Sequence, residues 1–255
     1  MRKNIFNVSG KIALVTGSTG DLGFAFARGL AENGAKVILN GRNQEKLAQK
    51  VRTLHEEGLN AEGSPFDVTI SEQVNSAIQK IEQGTGPIDI LVNNAGITLR
   101  APLEDFNDDD WQMVIQTNLT GPYLVAKAVA RYMIKRKRGK IINIGSVQSE
   151  VGRPTIAPYT ASKGGIKLLT RGMAIDWAKY NIQVNGIGPG YFKTEMTKPL
   201  YENPEFDTWL CNRTPSSRWG DPEELIGALL FLSSDASSYV NGHMLYVDGG
   251  LLSSV

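Results

Sequence analysis

The stretch Lys11-Ile12-Ala13-Leu14-Val15-Thr16-Gly17-Ser18-Thr19-Gly20-Asp21-Leu22-Gly23 decides how this chain folds. Its apolar run reads as a buried strand, and the glycine-rich turn after it opens a helical pattern from Leu22. A strand that passes through such a turn into a helix aims backbone N–H groups at an anion, and glycine lets that anion approach closely. A second strand pattern ends about twenty residues further on, at Asn40. Together these features imply a dinucleotide site, with Gly17, Ser18, Thr19, Asp21, Leu22 and Gly23 around the pyrophosphate.

The same alternation continues outward. Strand patterns fall at 11–16, 36–40, 61–66, 88–93, 140–145, 183–188 and 244–247. Helical patterns fall at 22–33, 44–57, 71–83, 109–137, 157–179 and 222–232, the last with Asp221 as N-cap and Pro222 in its first position. This order predicts an α/β fold, a doubly wound Rossmann-type parallel sheet with helices on both faces. The length of 255 residues, without repeat or linker, fits a single domain. One segment breaks the rhythm. Residues 191–220 hold Pro199, Pro204, Pro215, Trp209 and Trp219, and a connection of that length reads as a substrate lid.

Strand ends in such sheets carry the ligand contacts. The second ends in Asn40-Gly41-Arg42, with a guanidinium where NAD enzymes place an acid. Arg42 suits a 2′-phosphate, so NADP(H) is expected, and NAD(H) more weakly. After the third strand Asp67 can accept from an adenine amino group, with Val68 beside it. After the fourth, Asn94, Ala95 and Gly96 leave room for a flat cofactor.

Tyr159 and Lys163 lie four residues apart on one helix face, and the strand at 140–145 delivers Ser146 upstream of them. A phenol beside an ammonium, with a hydroxyl near both, is a proton-transfer device for a carbonyl or an alcohol. A second pair, Tyr123 and Lys127, has Asp110 in place of the preceding serine and reads as ordinary helix. An ammonium at ~4 Å is expected to pull the Tyr159 pKa down from ~10.

Taken together, these motifs resemble those of the short-chain dehydrogenase/reductases over essentially the whole chain. The resemblance rests on Thr16-Gly17…Gly23, Asn93-Asn94-Ala95-Gly96, Asn118, Ser146, Tyr159…Lys163, Pro189-Gly190…Thr194 and Val247-Asp248-Gly249-Gly250. It implies hydride transfer with a nicotinamide cofactor, and Asn118, Ser146, Tyr159 and Lys163 as catalytic residues. It also implies cofactor contacts from Pro189, Gly190 and Thr194, Lys163 on the nicotinamide ribose, Asn118 holding a relay water, and a homotetramer. The stretches Ser146–Glu150, 190–198 and 218–222 are similar to those of bacterial gluconate 5-dehydrogenases, which implies interconversion of 5-keto-D-gluconate and D-gluconate. Arg100 and Arg153 are then the candidate partners of the substrate carboxylate, beside Ser146 and Tyr159. A reductase of another small ketone, sugar or 3-oxoacyl thioester stays open, as does a non-catalytic dinucleotide-binding regulator. Asp21 departs from the family pattern, which has glycine there, and is expected to turn outward and cap its helix.

Bulk properties narrow the class. Net charge is +1, which gives no general attraction to nucleic acid or anionic lipid. The run Lys135-Arg136-Lys137-Arg138 is expected to close a helix stopped by Gly139. A single cysteine, Cys211, fits a reducing compartment, no stretch has signal or membrane length, and the chain reads as cytoplasmic. With two histidines at no ligand spacing, no metal site is expected.

Overall fold

Along β1 (Ile12–Val15), Ala13 and Val15 enter one apolar cluster and Leu14 enters another, the period-two pattern of a strand buried on both faces. The computed structural model describes residues 4–254. Its strands are completed by β2 (Lys36–Asn40), β3 (Ala61–Ser64), β4 (Ile88–Asn93), β5 (Gly139–Ile144), β6 (Ile182–Pro189) and β7 (Met244–Val247). They form one sheet in the order β3-β2-β1-β4-β5-β6-β7, and every neighbouring pair is parallel. The chain reverses its direction of travel between β1 and β4, so the carboxyl ends of those strands open a crevice.

Helices α1 (Asp21–Glu32) and α2 (Gln44–Glu56) cover one face, joined late in the chain by α9 (Ile226–Ser233). Against the other face pack α3 (Ser71–Lys80), α5 (Gly121–Arg136) and α6 (Ala157–Trp177), with α4 (Asp108–Ile115) beside α6. The doubly wound, single-domain arrangement expected from the sequence is the one observed. Among the described residues, no helix is long and apolar enough to cross a membrane, and no cluster of side chains could hold a metal ion.

Of the boundaries that differ from the sequence reading, three have a clear local reason. The helix expected over 109–137 is divided by a π-turn at Gln116–Thr120, where Pro122 has no N–H for the Asn118 carbonyl. Helix α5 stops because Lys137 itself turns left-handed (φ 52°), while Gly139 already opens β5. Arg136 and Arg138 of the basic run pair with Glu82 and Asp89, so that run is structural. Finally, the helix expected from Pro222 starts as a 3₁₀ turn, Pro222–Leu225, before α9. The Glu224 carboxylate accepts there from the Asp221 N–H at 2.9 Å.

Residues 191–220 are structured. They contain α7 (Lys198–Tyr201) and α8 (Pro204–Arg213), the latter capped by Asn203, which accepts from the Glu205 and Phe206 N–H groups. The neck of the excursion is closed by Lys193 N–H to Gly220 O (3.0 Å) and Gly220 N–H to Tyr191 O (2.9 Å). Inside it Tyr191, Tyr201 and Phe206 surround Trp219, whose indole N–H donates to Asp207 at 2.7 Å. Val147, just after β5, belongs to the same small apolar cluster, so the excursion is seated on the turn that carries Ser146.

Candidate active site

Buried amides bring the strand ends together. Asn93 of β4 donates to Asn143 of β5 (2.9 Å), and Asn143 donates to Thr170 of α6 (2.9 Å). This fixes α6, the bearer of Tyr159 and Lys163, against the two central strands. Asn94 donates to the Thr16 and Gly17 carbonyls (3.0 and 3.3 Å) and clamps the first turn to β4. Gly17 is left-handed (φ 64°), and a Cβ on it would lie 2.8 Å from the Ala95 backbone, so only glycine fits. On its other side Asn40 accepts from the Gly17 N–H and donates to the Ser64 and Phe66 carbonyls, joining the ends of β1, β2 and β3.

Between these ends runs a cleft of about 550 Å³. Arg42, Lys46, Asp67 and Val68 line one end, and the Gly17–Gly23 turn lines its middle. At the other end are Ser146, Tyr159, Lys163, Pro189, Gly190 and Thr194, and Ala95 and Gly96 form part of the wall. The space and donors fit an extended dinucleotide. Cations stand where a 2′-phosphate would lie, main-chain amides face the middle, and a hydroxyl and an ammonium lie at the far end.

The chemistry of that far end is set by burial. Lys163 is 5% exposed, and its ammonium donates to the Ile144 carbonyl at 2.7 Å. Desolvation lowers its pKa to about 8, so it remains mostly charged at neutral pH. Desolvation raises Tyr159 above the usual phenol value, the Ser146 hydrogen bond opposes the rise, and Tyr191 adds to it. The expected lowering by Lys163 is therefore not what the chain itself provides: loss of solvent dominates, and the Lys163 nitrogen lies 5.5 Å from the Tyr159 ring centre. Tyr159 stands ready as a proton donor. Ser146 is held by the Gln148 N–H, which donates to its Oγ at 3.1 Å. Burial raises the pKa of Tyr191, from the neck of the excursion, and the nearby Arg153, Arg100 and Gln148 oppose the rise.

The family model for short chain dehydrogenases matches residues 11–205. The chain belongs to this family. It is 54% identical over 252 residues to the 5-keto-D-gluconate 5-reductase of Escherichia coli K12, covering 99% of each chain. It is also 54% identical over 252 residues to the gluconate 5-dehydrogenase of Gluconobacter oxydans, covering 99% of this chain and 98% of the relative. A crystal structure of a gluconate 5-dehydrogenase from Burkholderia cenocepacia, in complex with NADP and tartrate, superposes with a TM-score of 0.97. It is 54% identical, and the match covers 99% of both chains. This short-chain dehydrogenase is thus an oxidoreductase.

Within the family frame, several sequence assignments change. Ser18 is fully buried, and its hydroxyl exchanges hydrogen bonds with the Asn40 backbone, so it knits the turn instead of facing the cofactor. Asn118 commits both side-chain N–H groups to the Ile97 carbonyl (2.9 Å) and Ser162 (3.1 Å), and its Oδ1 accepts from the Ile97 N–H (2.8 Å), so its side chain is tied into the fold. Its main-chain carbonyl loses its α-helical donor at Pro122, which has no N–H. Asp21 is not a cap. Gly20 is the N-cap, Asp21 begins α1, and its carboxylate accepts from the Glu195 N–H at 2.6 Å. Asp67 takes two hydrogen bonds from Thr69 and lies 3.6 Å from Arg42, whose side chain is 74% exposed. Burial raises the Asp67 pKa, but Thr69 and Arg42 outweigh it and hold the carboxyl below its usual value. Tyr123 and Lys127 only meet each other on the surface of α5 (3.2 Å). Lys46, Asn40 and Gln148 were not singled out in the sequence; Lys46 alone had a signal, a cation one helical turn beyond Arg42.

Two measurements follow. Replacing Arg42 by Ala is expected to weaken NADPH at least about tenfold while leaving NADH nearly unchanged, the loss of a charge-assisted contact of about 1.5–3 kcal/mol. Equal losses in titrations with both cofactors would show that Arg42 does not meet the 2′-phosphate. Asp21→Asn keeps an acceptor for the Glu195 N–H and removes a negative charge from the pyrophosphate wall. The dissociation constant for NADPH should fall about two- to fivefold, as expected for a solvated like charge several ångströms away.

Proposed function

We propose that this enzyme reduces 5-keto-D-gluconate to D-gluconate with NADPH and catalyses the reverse oxidation. The observation that carries the reading is the pair Arg100 and Arg153. Burial and the nearby Arg153 charge lower the Arg100 pKa, and neither guanidinium is paired with a carboxylate among the described residues. Two cations held near each other beside the Ser146–Tyr159 end suit an anionic substrate. The sugar-acid names of the E. coli and Gluconobacter relatives support it, as does the tartrate of the Burkholderia complex.

When bound, the nicotinamide supplies the hydride for the C5 carbonyl. Ser146 hydrogen-bonds the carbonyl oxygen, and Tyr159 gives that oxygen its phenolic proton. Lys163 keeps a positive charge beneath the phenol, which limits the cost of the phenolate left behind. The Asn118 carbonyl holds water through which the phenolate regains its proton. Residues 191–220 act as the lid: Tyr191 at their neck borders both guanidiniums, and Arg153 stacks on Phe206 of α8 at 5.1 Å. We read the enzyme as a cytoplasmic homotetramer, with exposed Leu168 and Ile175 on α6 among the apolar side chains that assembly would cover.

Both guanidiniums can be tested by truncation. Arg100→Ala and Arg153→Ala should each raise KM for 5-ketogluconate about ten- to a hundredfold and scarcely change it for an uncharged ketone of similar size. Equal turnover of acid and uncharged ketone by the unaltered enzyme would remove the gluconate assignment. The proton inventory gives a second check. Ketone reduction should be greatest below pH about 8, where Tyr159 and Lys163 both carry protons, and should fall above it as Lys163 loses its charge. Gluconate oxidation should instead rise toward alkaline pH, where Tyr159, raised above the usual phenol value by burial, gives up its proton. Tyr159→Phe should lose about 10²-fold or more in kcat in both directions while binding NADPH normally.

A further inference from the structure

Gln148 lies two residues beyond Ser146, on the turn Val147–Ser149, and is 6% exposed. Its main-chain N–H holds the Ser146 hydroxyl, so the position of this residue is tied to that of the reacting oxygen. Its side chain lies near Tyr191 and favours the ionised form of that phenol, as the N–H side of an amide does. The amide oxygen is then left over. Gln148 Oε1 is buried and has no hydrogen-bond partner, and Arg153 Nε nearby is in the same condition. An orphaned acceptor and an orphaned donor, both bordering Tyr191, are costly unless a ligand pairs them.

These neighbours define the ligand. In the gluconate reading Ser146 binds the reacting oxygen, Gln148 is tied to Ser146 through its N–H, and the Arg100 and Arg153 charges felt by Tyr191 would hold the carboxylate. We propose that Gln148 Oε1 accepts the hydroxyl hydrogen on the carbon next to the ketone, on its carboxylate side, and thereby selects α-hydroxy ketones. For 5-ketogluconate this is the C4 hydroxyl. The inference deepens the gluconate reading and rests on it. Gln148 is a specificity residue for the hydroxyl, Tyr191 orients its amide, and Arg153 Nε is available to the same end of the substrate.

The experiment compares kcat/KM for 5-ketogluconate, its 4-deoxy and 6-deoxy analogues and an uncharged ketone, in the unaltered enzyme and in Gln148→Met. The unaltered enzyme should prefer 5-ketogluconate over the 4-deoxy analogue about tenfold or more. Gln148→Met should bring those two within about threefold, and any discrimination against the 6-deoxy analogue should be unaffected. A 4-deoxy ratio that stays at the unaltered value in Gln148→Met overturns the assignment. Should that variant fail to fold, Gln148→Asn withdraws the oxygen by one methylene and must lose the ratio likewise; retention overturns the proposal. The two readings fail separately. Loss of acid-over-ketone preference in the unaltered enzyme overturns the gluconate reading, whereas an unchanged hydroxyl ratio in an enzyme that still prefers the acid overturns only the role of Gln148.

Discussion

The Asn143 side chain holds the arrangement together. It accepts from Asn93 on the neighbouring strand and donates to Thr170 on α6, fully buried at the centre of the sheet. An amide placed there without partners would cost about 1–3 kcal/mol, so the three elements can pack in only one relative position. That position sets Tyr159 and Lys163 opposite Ser146, since α6 carries the first two and β5 leads into the third. Asn40 and Asn94 act similarly around the glycine turn. The carboxyl edge of the sheet is thus a rigid frame of polar ties, and the reacting groups inherit its precision.

The same burial sets the chemistry. Removing solvent raises the Tyr159 pKa and lowers that of Lys163 to about 8, two shifts with one cause and opposite signs. Both favour the neutral form of the group. At neutral pH the phenol keeps its proton, and the ammonium, still on the acid side of its pKa, keeps its charge. Proton donation to a carbonyl is the natural direction of such a pair, which agrees with the reductase reading.

The excursion at 191–220 joins the two ends of the cleft mechanically. Its aromatic cluster rests on Val147 beside Ser146, and its neck supplies Tyr191 to the substrate side. Just beyond the neck, Glu195 N–H is held by Asp21 in the first turn of α1. An acid in place of the family's glycine therefore links the pyrophosphate turn to the loop that leads into the excursion. The tie is a 2.6 Å hydrogen bond.

The sequence by itself determined the doubly wound parallel sheet, the glycine turn and the Ser146, Tyr159 and Lys163 set, whereas the order of the strands came from the structure. Periodicity and short-range spacing are local properties, and strand and helix patterns report them directly. What the tertiary structure decided are contacts between residues far apart in the chain. Ser18 faces Asn40 instead of a phosphate, Asn118 is consumed by Ile97 and Ser162, and Asp21 meets Glu195 across the cleft. A polar side chain binds whichever partner folding leaves within reach, and its position in the chain carries no record of that partner. For the same reason Tyr159 could be named from sequence while the direction of its pKa shift could not: desolvation depends on how many distant atoms close around the hydroxyl.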